Sequence, residues 1–230
     1  MNGHYAIAID GPSGAGKSSL ARACAAAFGF LYVDTGAIYR TVGLAAHRLS
    51  LDRRDEAAVA ALRPELDIKM AYNAEGEQRM LLNGEDVSEA IRAPEISICA
   101  SDVSALPAVR AFLLEMQRRM AREHDVIMDG RDIGTVVLPE AELKILLTAS
   151  AEARAERRVK QLEEKGLVCE YEEVLRDIRY RDEQDSSRAA APLRAAEDAV
   201  LVDTTALDQN ESFALLCSLI RERLGLEARA

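Results

Sequence analysis

The chain has 230 residues, 49% of them apolar, and a formal net charge of −10, a size that suits one α/β core carrying insertions. The acidic balance argues against a general nucleic-acid binder, because backbone-binding surfaces need a basic surplus, so any phosphate site must be locally concentrated. No apolar run approaches the roughly 20 residues of a membrane span, and residues 1–5 lack the basic and apolar blocks of an export signal, so a cytoplasmic protein without membrane attachment is expected.

In chain order, 5–10 reads as a short apolar strand, followed by a glycine-rich turn and a helix over 17–28 with Leu20, Ala21, Cys24 and Phe28 on one face. A second strand at 30–33 turns through Asp34, Thr35 and Gly36 into a helix over 37–49, with Thr35 expected as its N-cap. Short strands at 66–73, 78–82 and 85–87, separated by turns at 73–76 and 83–84, predict a small antiparallel insertion. Helical spacing returns over 93–103 and 107–123, and 125–129 and 143–147 are compact apolar strands suited to a buried parallel sheet. Two charge-rich helices, 151–166 and 170–188, form a predicted mobile hairpin; a strand at 199–202 and an amphipathic helix over 209–224 close the chain. The expected fold is α/β, of the P-loop NTPase type: a five-stranded, mainly parallel sheet flanked by helices, with an antiparallel β insertion and a helical lid.

The run GPSGAGKS at 11–18 fits G-x-x-x-x-G-K-[ST] and stands after a strand and before a helix, where such a loop has to be. Its backbone, from Gly11, Pro12, Ser13, Gly14, Ala15, Gly16, Lys17, Ser18 and Ser19, would cradle phosphates with inward-pointing N–H groups. Lys17 would reach the β and γ oxygens and Ser18 would ligate Mg²⁺. Pro12, having no N–H, contributes shape only. Asp129, Gly130, Arg131 and Asp132 follow a core strand at the edge where open α/β sheets bind ligands. Arg154, Arg157 and Arg158 crowd one helix face, and Arg181, Asp185 and Arg188 line another, where they could grip a sugar and a phosphate. Solvated ion pairs are the plainer alternative for each cluster. Cys24, Cys99, Cys169 and Cys217 form no CxxC pair and read as reduced packing residues. His4, His47 and His124 are too scattered to suggest a metal site or a triad.

One P-loop lysine with arginines on several segments suits phosphoryl transfer between two phosphates. From the residues alone, another nucleoside monophosphate kinase, a kinase acting on an alcohol such as shikimate, and a nucleotide-dependent switch all stay open. An alcohol acceptor calls for a positioned base, and no NKxD-type guanine-reading motif is evident for a GTPase.

The sequence closely resembles bacterial cytidylate kinases through IDGPSGAGKSS at 9–19, DTGAIYR at 34–40, DGRDIGTVV at 129–137 and RDEQDSSR at 181–188. The resemblance implies transfer of the γ-phosphoryl group of ATP, with Mg²⁺, to CMP or dCMP. It implies that Arg40, Arg131 and Arg188 hold the CMP phosphate, that Ser101, Arg110 and Asp132 read cytosine, that Arg181 and Asp185 contact the sugar, and that Thr35 lines the CMP site. Arg157 would face the ATP phosphates, so that Lys17, Arg131, Arg157 and Arg188 form the catalytic set. The implied organisation is a P-loop core (1–34, 95–150, 191–230), a CMP-binding region with the β insertion (35–94) and a lid (151–190), in a monomer with small-molecule partners only.

Overall fold

The structure, a computed structural model, describes residues 4–164 and 166–228. Outside them lie 1–3, part of the segment read as lacking an export signal, Lys165 at the end of the first predicted lid helix, and 229–230.

Strand β1 (Ala6–Asp10) is buried at every position, as its unbroken apolar run demands of a central parallel strand. Helix α1 (Lys17–Phe28) follows the glycine loop, then β2 (Leu31–Asp34) and α2 (Thr35–Arg48). Beyond them come β6 (Val126–Gly130), β7 (Leu143–Thr148) and β8 (Val200–Asp203), all named here by chain order. These strands form a five-stranded parallel sheet in the order β2-β6-β1-β7-β8, with Ile9 opposite Asp129 and Ile145 in the two central ladders. Helix α8 (Gln209–Leu224) packs beside α1 over Ile7, Ile9, Ile127, Ile145 and Leu147. Each such side chain, once buried, contributes about 1.5–3 kcal/mol. Because β1 is flanked by β6 and β7, the carboxyl ends of three adjacent strands meet at the P-loop.

By internal contacts the chain divides into two units, one comprising 1–32 with 124–230 and the other 33–123. In the second, α4 (Pro94–Ser104) packs along α2, and α5 (Pro107–Glu123) packs against α3 (Glu56–Ala61). Residues 95–123, expected with the core, therefore have their contacts in this second unit. Its antiparallel sheet, β3 (Ile68–Tyr72), β4 (Gln78–Leu82) and β5 (Glu85–Asp86), is the predicted insertion. Helix α3 is absent from the sequence reading, although Asp55 signals it by accepting hydrogen bonds from the N–H groups of Ala57 and Ala58.

Two boundaries are corrected. The cap of α2 is Asp34, which accepts from the Ala37 N–H at 2.9 Å, while Thr35 is the first helical residue and is buried. The second lid helix, α7 (Tyr171–Ser187), stops one residue early, leaving Arg188 extended at its end rather than on the Arg181–Asp185 stripe.

Gly43 sets the approach of α2 to α4: a Cβ there would lie 2.9 Å from the Ala100 nitrogen and 3.0 Å from the Cys99 carbonyl carbon, both backbone atoms. Overpacking costs about 1–3 kcal/mol, against about 1 kcal/mol gained in helix propensity. Gly43→Ala should therefore lower the thermal unfolding midpoint; an unchanged or raised midpoint would contradict this packing.

Candidate active site

The phosphate loop is forced by its glycines. At Gly11, with φ +153°, a Cβ would stand 1.9 Å from the Leu147 carbonyl oxygen, so no side chain fits between β1 and β7. Gly16 takes a left-handed conformation at φ 88° and hands the chain into α1, whose first N–H groups face the loop. Lys17 is buried and its Nζ donates to the Pro12 carbonyl at 2.7 Å, folding the side chain back over the loop.

At the adjacent end of β6, Ser18 Oγ donates to Asp129 at 2.7 Å, and the Tyr32 hydroxyl reaches the other Asp129 oxygen at 3.2 Å. The motif DGRDIGTVV continues into a single π turn, Ile133–Val137, a rare form that often marks functional sites. Asp10 holds this turn, accepting from the N–H groups of Ile133 and Gly134 at 2.8 Å each. Arg131 pairs through Nε with Asp185 of α7 and also lies near the Gly130 carbonyl. Arg188 donates through Nε to the Ala191 carbonyl at 2.6 Å, and its Nη2 stands 3.7 Å from Asp132, which is itself buried. The structure thus gathers Lys17, Arg131, Asp132, Asp185 and Arg188 around the carboxyl ends of β1 and β6. Arg181, a turn before Asp185, is exposed.

The three arginines of α6 (Ala151–Glu163) diverge. Arg154 is buried, Arg158 is exposed, and Arg157 donates to Thr204 and to the Leu207 carbonyl in the loop after β8. Arg157 lines a cavity of about 380 Å³ with Gly14, Ala15, Gly16, Ser19, Lys160, Gln161, Thr204, Leu207 and Asp208. The 204–208 side of this cavity is missing from the sequence reading, because its polar residues carry no motif there.

In the second unit, Arg40 Nη2 donates to Asp34 at 3.1 Å, whereas its Nε is buried with no hydrogen-bond partner among the described residues. A buried guanidinium N–H left so is costly. Gln78 of β4 accepts from the Asp34 N–H at 2.8 Å and donates to its carbonyl at 3.2 Å, steadying the start of α2 that carries Thr35 and Arg40. Arg110 lies 5.5 Å from the Tyr39 ring centroid and donates to the Ser104 carbonyl at 3.1 Å; Ser101 is exposed on α4.

Burial, reinforced by the Arg131 charge, pushes the Lys17 ammonium down to about 7, against the pull of Asp129, Asp10 and Asp185. Burial likewise pushes Asp10 up to about 6, with Asp132 adding to the effect and the N–H groups of Gly134 and Ile133 opposing it. For Lys17 the folded value lies below the ordinary 10.5. The unfolded chain therefore binds more protons across that interval, and this group's contribution to stability grows as pH rises through it. Stability of the wild type relative to Lys17→Met should accordingly increase from about pH 7 to about pH 10. Chemical denaturation of both proteins across that range measures it, and a pH-independent difference would contradict a depressed Lys17.

Residues 7–222 match the family model described as cytidylate kinase. The chain is 51% identical to a cytidylate kinase of Carboxydothermus hydrogenoformans over 93% of its length and 96% of that protein. It is 47% identical to one of Syntrophotalea carbinolica, covering 97% and 94% of the two chains, and 46% identical to one of Pasteurella multocida, covering 99% and 100%. With a P-loop at the head of α1, the DGRD turn beside it and these relatives matched along nearly their whole length, the chain belongs to the cytidylate kinase family.

Proposed function

We propose that the chain transfers the γ-phosphoryl group of ATP to CMP, and to dCMP, giving ADP and CDP or dCDP for pyrimidine nucleotide metabolism. The observation that carries this reading is the gathering of Arg131 and Arg188 beside the P-loop lysine in a chain of this family. A second set of phosphate-binding cations next to the first is what a phosphate acceptor requires, and an alcohol acceptor does not.

The attacking atom is a phosphate oxygen of CMP, already ionised near neutrality because a phosphate monoester's second pKa is about 6. No general base is needed, and the protein's work is alignment, charge neutralisation and exclusion of water. We assign Lys17 and Arg157 to the ATP phosphates, with the backbone of Gly11, Ser13, Gly14, Ala15, Gly16, Ser18 and Ser19, and Pro12 shaping the turn. Swinging Lys17 from the Pro12 carbonyl and Arg157 from Thr204 and Leu207 onto phosphate exchanges neutral carbonyl acceptors for charged ones. The cavity bounded by Gly14, Arg157, Thr204 and Leu207 suits the rest of the donor nucleotide. Arg40, Arg131 and Arg188 are assigned to the acceptor phosphate, Ser101, Arg110 and Asp132 to cytosine, Arg181 and Asp185 to the sugar, and Thr35 to the same site.

Mg²⁺ fits the donor set, since Ser18 Oγ and Asp129 offer only hard oxygens. Mg²⁺ commonly completes its coordination with substrate phosphates and water rather than with protein ligands alone. Ser18 would hold it, and when bound it would offset charge on the β and γ oxygens. Residues 151–190 are read as the lid of a core that includes 1–34, 124–150 and 191–230, with 35–94 as the CMP-binding region and 95–123 packed in the same unit as that region. The enzyme is read as a cytoplasmic monomer, one chain carrying every group assigned to both substrates.

Release of ADP, measured with ATP and Mg²⁺ alone and then with CMP, UMP, AMP, GMP or shikimate added, tests this. CMP should stimulate it most. Asp132→Ala, which loses the acceptor for the cytosine amino group, should erode the preference for CMP over UMP by about 1–3 kcal/mol in kcat/KM ratio. Acceptor-independent release would favour an ATPase or switch, and an unchanged preference in the variant would remove Asp132 from base reading.

A further inference from the structure

Arg154 stands apart from the other arginines of α6. Its side chain is only 4% exposed. Its guanidinium donates through Nε to the Ala149 carbonyl at 2.9 Å and the Ser150 carbonyl at 3.3 Å, at the start of α6. Nη1 donates to the Ser13 carbonyl in the phosphate loop at 2.9 Å and to Asp182 of α7, also at 2.9 Å, while Nη2 bonds the second Asp182 oxygen. One side chain thus ties together the loop, the root of α6 and the second hairpin helix. Its stem also lies against the loop: a Cβ at Gly14 would sit 3.4 Å from Arg154 Cβ.

The bond to Ser13 has a directional consequence. In a planar trans peptide the carbonyl and the following N–H point to opposite sides. Holding the Ser13 carbonyl on Arg154 therefore turns the Gly14 N–H away from it. Gly14 itself is exposed and left-handed at φ +78°. Successive N–H groups presented this way form an anion-binding concavity, whose affinity depends on each peptide keeping its orientation.

We propose that Arg154 is a positioning residue for the triphosphate: it fixes the Ser13–Gly14 peptide in its anion-binding orientation and, through Asp182, makes that orientation depend on the placement of α7. Donor binding and the hairpin are then linked by a salt bridge as well as by the ligand. This rests on the reading of 11–18 as the ATP site.

The test compares wild type, Arg154→Met, Asp182→Asn and the double variant by steady-state KM for ATP and for CMP, together with thermal midpoints. Losing a charge-assisted contact should raise the ATP KM about tenfold in Arg154→Met and about threefold in Asp182→Asn, with the CMP KM within about twofold. The double variant should be no worse than Arg154→Met, since both changes cut one path. An ATP KM within about twofold of wild type in the variants, or equal rises for ATP and CMP, would reduce Arg154 to general packing and overturn the proposal. Should Arg154→Met not fold, Asp182→Asn decides by the same criteria. A wild type that binds no ATP would instead defeat the functional reading.

Discussion

Lys17 carries its ammonium into an environment that leaves it 6% exposed, where an unaccompanied charge costs several kcal/mol. The carboxylates of Asp10, Asp129 and Asp185 work against that cost, and Arg131 works with it. The balance is incomplete, and the incompleteness is useful: a loop whose cation is under-compensated gains most when a polyanion arrives. The constraint also explains how a chain of net charge −10 can hold phosphates. Lys17, Arg131 and Arg188 are concentrated near the strand ends, and many of the surplus carboxylates lie elsewhere.

The same carboxylates hold the scaffold. Asp10 bonds the π turn that follows Asp132, Asp129 bonds Ser18 at the head of α1, and Asp185 pairs with Arg131. Each ties two segments distant in sequence, so the charge pattern that tunes Lys17 also sets where the arginines start from. A site built this way is held by contacts between segments distant in sequence, which serves catalysis by alignment and electrostatics.

The P-loop, the parallel core and the antiparallel insertion are legible in the sequence because each is written locally, in apolar runs, glycine spacing and turn residues. What escapes local reading is decided by partners far along the chain. Asp34 and Thr35 are both good caps; the choice of Asp34 is supported by Gln78, 44 residues on, which holds the Asp34 backbone. Arg154, Arg157 and Arg158 are equivalent by helical spacing. Ser13 and Asp182, 141 and 28 residues from Arg154, are what separate it from the others. The π turn has no composition cue, since it depends on Asp10 across the sheet. Helix α3, by contrast, could have been read from Asp55 and the alanines after it.

If phosphate becomes the counter-charge that Lys17 lacks, binding must return a proton to it. Calorimetry of ATP binding at pH 8 in buffers of different ionisation enthalpy measures this most directly. The account predicts net proton uptake at pH 8 that fades as pH falls below about 7, where Lys17 is already charged. Binding without proton uptake at any pH would mean that Lys17 stays fully charged in the free protein, and would contradict the under-compensated site.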